Sequence, residues 1–481
     1  MRKRFKIQYE IGVEPIEEVK IPTNSRDELP PVMAALQTIY KNPELNEKVF
    51  KIIEPCILGD KEVTGREGMS MWEILVLACV RLALDTNYDQ LHTQANYNKL
   101  IRSIMGVEHA WKEGKTYGLQ TIKDNVKLLD VVTINSVNEL VVQMAHQLVL
   151  KKNEPLRIKS DTYVLETNVH FPTDLNLLWD SIRKSLKIIT SIQRAHGISG
   201  WRKQRFWFSS LKSLLRSCSK ACQSKASSKA EQIKIKVEKY LRLAGELNKK
   251  LNESLEELYE YVEIDKIPWP QIQELFYYQK MLVKHIDLVD RRLLKGEKIP
   301  TSEKVYSIFE THTEWISKGK INKKVELGRK VLIATDQYHF ILYHEIVPNK
   351  KDSAFTLDLA DKLLSTYGNI ESMSLDKGFY SKENKELLSL VIPKVIMPKL
   401  GKLTLEQKQE ESAKEFKKLK NKHSAVESNI NQLEHNGLNQ CPDKGLENFE
   451  KYTALGVLSY NLHRLGTLLL KERRKVERQA A

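Results

Sequence analysis

The run Arg157–Thr167 has the composition of a β-strand, rich in β-branched and aromatic residues, yet it lies between two long helical regions. Any sheet it joins has to be completed by strands much further along the chain. In its middle, in "SDTYVLETN", stands Asp161. Asp is depleted in strands, so this position breaks a local rule. Such a break marks either the edge or end of a strand or a functional site.

The regions around that strand follow a helical period. Residues 1–30 read as an irregular basic arm, with a possible hairpin over 4–21. From 31 to 150, apolar residues recur at three- and four-residue intervals in "PVMAALQTIYKN", "MSMWEILVLACVRLAL" and "VTINSVNELVVQMAHQLVL". This predicts a compact helical module, in which "YGLQTIKDNVKLL" has the length of a short recognition helix. After the strand, Pro172 ends the extended stretch, and Thr173 or Asp174 caps the next helix. Two seams of alternating four- and three-residue steps follow, Ile233 to Val262 and Ile272 to Leu293. The "IPWP" turn between them stops the first helix, which predicts an antiparallel helical hairpin within an insertion spanning 173–299. Ahead of the hairpin, "GWRKQRFWFSSLKSLLRS" interleaves Arg202, Lys203 and Arg205 with aromatic residues. That pattern suits phosphate contact and base stacking, and equally an amphipathic helix with a core face.

Past Gly296 the period shortens. "KVYSIFE", "KVLIATD", "FILYHEIV", "ESMSLD" and "VIPKVIMP" read as strands, with helices between them, and a long helix carries Glu427. The 481 residues carry a net charge of +15, which points to a polyanionic partner, most simply nucleic acid. The five cysteines are scattered, and "CSKAC" lacks the further ligands a zinc site needs. No secretory signal is recognisable, and no apolar run reaches the roughly 18–20 residues of a bilayer span.

With the insertion set aside, the order strand, two strands, helix, strand, helix, strand, helix is that of an RNase H-like fold. In such a sheet the first and fourth strands are neighbours, so Asp161 meets Asp376 in "SLDKGFY", and the last helix brings Glu427 to the same place. Three acids so placed suit in-line displacement at phosphorus, with two divalent ions about 3.5–4 Å apart stabilising the attacking and leaving oxygens. Mg²⁺, a hard ion, takes one or two carboxylates plus phosphate and water.

The blocks "SDTYVLETNVHFPTD", "SKGKINKKVELGRKV", "SLDKGFYS" and "HSAVESNINQLEHNGLNQCPDKGLENFEKYTALGVLSYNLHRLG" resemble, in order, those of DDE-type bacterial insertion-sequence transposases, in particular an ISNCY-like group. The resemblance runs from about Lys159 to Gly466. It implies a mixed α/β, RNase H-like catalytic domain over 155–172 and 300–466. With it come a helical DNA-binding domain over 31–150, the insertion, and a basic tail over 467–481. It further implies Asp161, Asp376 and Glu427 as catalytic acids and metal ligands, with Mg²⁺ and, as a substitute, Mn²⁺. The activity implied is cutting at the element's own inverted-repeat ends and joining them to target DNA. A homodimer or larger synaptic complex on double-stranded DNA, in the bacterial cytoplasm at the nucleoid and away from membranes, completes the expectation.

Candidate DNA contacts are Arg202, Lys203, Arg205, Lys377, Tyr380, Lys420, Lys422 and His423. Some related transposases carry Arg four residues before the catalytic Glu and Lys seven after it. Here those positions hold His423 and Glu434, and Lys399, Lys420 or Lys422 are available as replacements. Glu434 is also the rival third acid. Two other readings share these features: an RNase H-like structure-specific endonuclease that does not join ends, and a non-catalytic DNA-binding derivative.

Overall fold

The computed structural model describes residues 2–5, 11–59, 68–196, 200–263, 267–317 and 324–480. The chain divides into two compact units, one formed by 1–168 with 314–481 and the other by 169–313.

In the first unit, seven helices among the described residues precede the sheet: α1 (Leu29–Lys41), α2 (Pro43–Leu58), α3 (Met71–Ala83), α4 (Tyr88–Tyr97), α5 (Lys99–Ile104), α6 (Leu119–Val126) and α7 (Val131–Val149). Their starts are chemically specified. Ser70, Asn87 and Asp130 accept from backbone N–H groups of the first turns of α3, α4 and α7, which leaves fewer orphan donors. Every residue of α3 is buried, so it is a core helix despite carrying Glu73 and Arg81. Both charges are paired: Glu73 accepts from Lys115 at 2.8 Å, and Arg81 forms a two-pronged ion pair with Asp443 at 2.7 Å. The possible hairpin over 4–21 falls partly on residues 6–10, outside the described residues. Residues 11–21 form turns and bends with no strand, pinned where Gln37 donates its amide to the carbonyls of Ile16 and Val19.

The sheet holds β1 (Leu156–Thr167), β2 (Glu314–Ser317), β3 (Val325–Thr335), β4 (Ile341–Val347), β5 (Ile370–Leu375), β6 (Lys394–Ile396) and β7 (Gln440–Cys441). β1 is central. It pairs antiparallel with β3 on one edge and parallel with β5 on the other, and β6 extends the sheet beyond β5. β4 and β2 share the far edge of β3 end to end. The order β4-β3-β1-β5-β6, antiparallel on one side and parallel on the other, makes this mixed α/β unit RNase H-like. Helices α12 (Thr356–Tyr367) and α13 (Lys382–Val391) connect the later strands, and α14 (Leu405–Ser412), α15 (Lys414–Leu433) and α16 (Leu446–Ala480) follow.

The N-terminal helices and the sheet share one continuous hydrophobic core, whereas the sequence suggested a module of its own for 31–150. Polar ties run through that core. Asn461 on α16 exchanges hydrogen bonds with the backbone of Ile341 and donates to Asn138 on α7, and His146 Nε2 lies 2.8 Å from the fully buried Asp336.

The second unit is a bundle of α8 (Asp174–His196), α9 (Gln204–Gln223), α10 (Lys229–Glu263) and α11 (Trp269–Val289). Thr173 caps α8 through the N–H of Asn176, and Asp174 instead pairs with Arg292. Both predicted seams are core. Val237, Tyr240, Ala244, Leu247 and Leu251 pack with Ile272, Leu275 and Leu282, while the side chain of Val262 lies outside the described residues. α8 and α9 cover the hairpin, so its apolar seams are satisfied within this unit. The predicted strand "KVYSIFE" is not a strand: residues 304–310 form bends and loop, with Ile308 buried against Leu177 and Tyr278 and no strand pairing among the described residues.

Gly466 on α16 marks a close approach to α1. A Cβ there would sit 1.7 Å from the carbonyl oxygen of Pro31 on α1. In a lone helix Gly466→Ala would stabilise by about 1 kcal/mol. Here we predict a loss of about 3 kcal/mol from overpacking, read as a lowered denaturant midpoint. An unchanged or raised midpoint would contradict this packing.

Candidate active site

The β1–β5 ladder ends at Ser160 opposite Leu375. The next residue in each segment is an acid, Asp161 within β1 and Asp376 immediately after β5. The same edge of β1 is taken up again only at Glu166, by β7. Among the described residues, 161–165 therefore have no strand partner on that edge, and a crevice opens at the carboxyl end of β5, where ligands bind in open α/β sheets. Asp161 is accordingly neither at a strand end nor at a sheet edge. It sits inside a twelve-residue strand, at the point where one ladder stops.

Alternate residues of β1 share a face, so Lys159, Asp161 and Tyr163 point the same way. The helix α15 packs against that face. Electrostatic neighbours pair off in order along the two elements: Lys159 with Lys422, Asp161 with Glu427, Tyr163 with Glu434. Of the two candidate acids on this part of the chain, Glu427 is the one that bears on Asp161. Glu434 lies further on, where Asn436 and Gly437 leave helical geometry and end the helix.

Asp161 is half-buried, and its carboxyl is pushed up to about 7. Burial is the main cause, opposed by a 2.7 Å hydrogen bond from the Thr162 N–H and reinforced by the charges of Asp376, Asp352 and Glu427. Asp376 and Glu427 are exposed and line one cavity of about 410 Å³ with Lys377, Lys420 and His423. His423 is held by Ser374, whose hydroxyl is 3.2 Å from Nδ1. Burial lowers the pKa of His423, while Asp376 and Glu427 act to raise it. Its Nε2 is buried without a hydrogen-bond partner among the described residues.

Asp352 escaped the sequence reading, because an Asp just before a helical stretch looks like a cap. It accepts from Lys330 at 3.0 Å. Its approach explains Gly378: a Cβ there would lie 2.8 Å from Asp352 Oδ2, so this glycine makes room for a carboxylate.

The candidate DNA contacts separate. Lys377, Lys420 and His423 line the acid cavity. Lys422 lines a different cavity, of about 530 Å³, with Arg157 and Lys159. Tyr380 is half-buried against the core, with its hydroxyl 3.4 Å from Gln407. Lys399 is engaged by Gln407 at 3.1 Å. Arg202, Lys203 and Arg205 belong to the other unit, at the start of α9. The aromatics beside them are mostly core: Trp201 is buried and donates to Ser254, and Trp207 and Phe208 pack on the bundle.

Residues 288–462 match the family model for the transposase DDE domain. Over that stretch the chain carries a transposase DDE domain. No curated protein and no solved structure matches the chain. The match covers β5 and α15, with Asp376 and Glu427, and begins after Asp161. Of the sequence block "SKGKINKKVELGRKV", residues 318–323 lie outside the described residues. Members of the family act on DNA and generally use divalent metal ions. Among the described residues no single helix is long and apolar enough to cross a membrane.

The acid set suits such an ion. Carboxylates that raise one another's ionisation cost are relieved by a hard cation. Among the described residues no three His, Cys, Asp or Glu side chains close on a single point. That is compatible with ions that take one or two carboxylates each and complete their shell with water and phosphate.

The sign of the Asp161 shift gives a test. Its carboxyl ionises at higher pH in the folded chain than in the unfolded one, so it destabilises the metal-free protein increasingly from about pH 4 to pH 7, and fully above that. Asp161→Asn is predicted to raise stability at pH 8 by about 1–3 kcal/mol and to change it little at pH 4, in thermal melts with chelator present. Millimolar Mg²⁺ should then stabilise the parent and not the variant. A variant less stable than the parent at pH 8 would contradict this site.

Proposed function

We propose that the chain cuts DNA at the inverted-repeat ends of its own insertion sequence and joins them to target DNA by in-line phosphoryl transfer. Asp161, Asp376 and Glu427 are the catalytic, ion-holding acids. The observation that supports the reading is the end of the β1–β5 ladder, with Asp161 next along β1, Asp376 immediately after β5, and the charges of Asp376 and of Glu427 on α15 acting on Asp161. When bound, two divalent ions supply the stabilisation of the attacking and leaving oxygens. Mg²⁺ is the ion we assign, and Mn²⁺, which accepts the same oxygen ligands, replaces it.

The protein's own groups do the rest. Asp161, central and held by the Thr162 N–H, is the acid placed to face both others. Ser374 lies at Nδ1 of His423, and in the tautomer with the proton on Nε2 that atom, without a partner among the described residues, is the donor we assign to a phosphate oxygen. Lys377 and Lys420 on the cavity wall offset the charge of the DNA backbone. His423 thereby takes over, as a neutral donor, the place that Arg holds in some related enzymes. We assign the chain to the ISNCY-like group on the resemblance of its motif blocks. Handling two ends together calls for a homodimer or larger assembly.

Labelled duplexes carrying the element's own flanking ends, incubated with Mg²⁺, test this. The parent nicks at the ends and yields joined products, and Asp376→Ala loses cleavage by at least ~10²-fold while still binding the DNA. Cleavage without joining would favour a structure-specific endonuclease. Binding by both proteins with no cleavage by either would sink the catalytic reading.

A further inference from the structure

The 50 residues from 181 to 230 contain 12 Lys and Arg and no Asp or Glu. In a chain with 62 acidic residues, such a stretch is a local field of one sign. It covers most of α8, all of α9 and the approach to α10.

On α9 the charge is ordered. At about 100° per residue, Arg205, Lys212, Arg216 and Lys220 fall within an arc of about 80°. Ser209 and Ser213 lie on the same stripe. Leu211, Cys218 and Ala221 are buried on the opposite side, with Trp207, Leu214 and Leu215 packed against the bundle core. Arg205, Arg216 and Lys220 are exposed, and among the described residues none of the three is in an ion pair. Lys212 lies over the Phe208 ring, 5.5 Å from its centroid. The stripe from Arg205 to Lys220 is about 22 Å long. A duplex carries roughly a dozen phosphates over that length.

We infer that the outer face of α9 is a docking surface for the phosphate backbone of double-stranded DNA, read without regard to sequence. Charge complementarity selects the partner. Cations at helical spacing track phosphates, while among the neighbouring aromatics Trp201 is buried and hydrogen-bonded to Ser254, Trp207 and Phe208 are half-buried, and Phe206 is exposed. The identity of the polyanion rests on the proposed function, whereas the surface itself does not depend on the acid site.

The test is the salt dependence of binding to a random-sequence 30-bp duplex, measured by fluorescence anisotropy with the full chain and chelator present. The triple variant Arg205→Gln, Arg216→Gln and Lys220→Gln should flatten the slope of log affinity against log salt by about 2–3. It should also weaken binding at 0.1 M salt by roughly tenfold or more. A control triple variant of Lys234, Lys239 and Lys249 to Gln, all exposed on α10, should leave the slope unchanged. Both variants should melt like the parent, since every altered side chain is exposed.

An unchanged slope in the α9 variant overturns the inference, as does an equal loss in the control. Binding to phosphatidylserine vesicles as tight as to the duplex, and lost in the α9 variant, would reassign the face to a membrane. Because no divalent ion is present, the two readings fail separately. A protein that never cuts but shows the α9-dependent slope keeps this surface and loses the chemistry. One that cuts with an unchanged slope does the reverse.

Discussion

The site depends on one pairing, the parallel ladder of β1 with β5. The two strands are contributed by segments on either side of the whole 169–313 unit, so their meeting is a long-range event that loop-closure entropy opposes. The ladder has to stop where it does. One residue more of pairing would draw Asp161 and Asp376 into a regular sheet, and one slip in register would turn Asp161 to the other face. Packing of α15 over that face, with Glu427 at the level of Asp161, adds the third acid only because this register is kept.

The helices before β1 help keep it. They share the core of the sheet, and the joints between them are polar and buried: Arg81 with Asp443, His146 with Asp336, and Asn461 between Asn138 and Ile341. Such groups are costly when unpaired and so reward one arrangement of the elements. Asp443 lies just beyond β7, the short strand that closes the crevice edge of β1. A buried arginine of α3 thus anchors the segment that bounds the candidate site.

Much of this was legible in the sequence, for identifiable reasons. Asp161 stood out because an acid in a β-branched run breaks local preference, and the order of elements put its strand next to the one that ends just before Asp376. The seams of α10 and α11 were readable from their four-three spacing. Asp352 was not, since its nearness to Asp161 comes from tertiary packing against Gly378. "KVYSIFE" has strand composition but pairs with no strand among the described residues, and "EWIS", too short to stand out, becomes β2 because β3 offers it an edge. The basic and aromatic residues around α9 could not be sorted by pattern alone. Burial separates them, with the aromatics largely inward and the cations outward.

The central claim is that Asp161, Asp376 and Glu427 act as one ion-holding set, with Glu434 outside it. Calorimetric titration with Mn²⁺ of the parent, Glu427→Gln and Glu434→Gln examines it directly. The account predicts affinity weakened roughly tenfold or more in Glu427→Gln and unchanged in Glu434→Gln, because a lost carboxylate ligand counts and a distant one does not. Weaker binding in Glu434→Gln alone would contradict it and move the third acid one stretch along the chain.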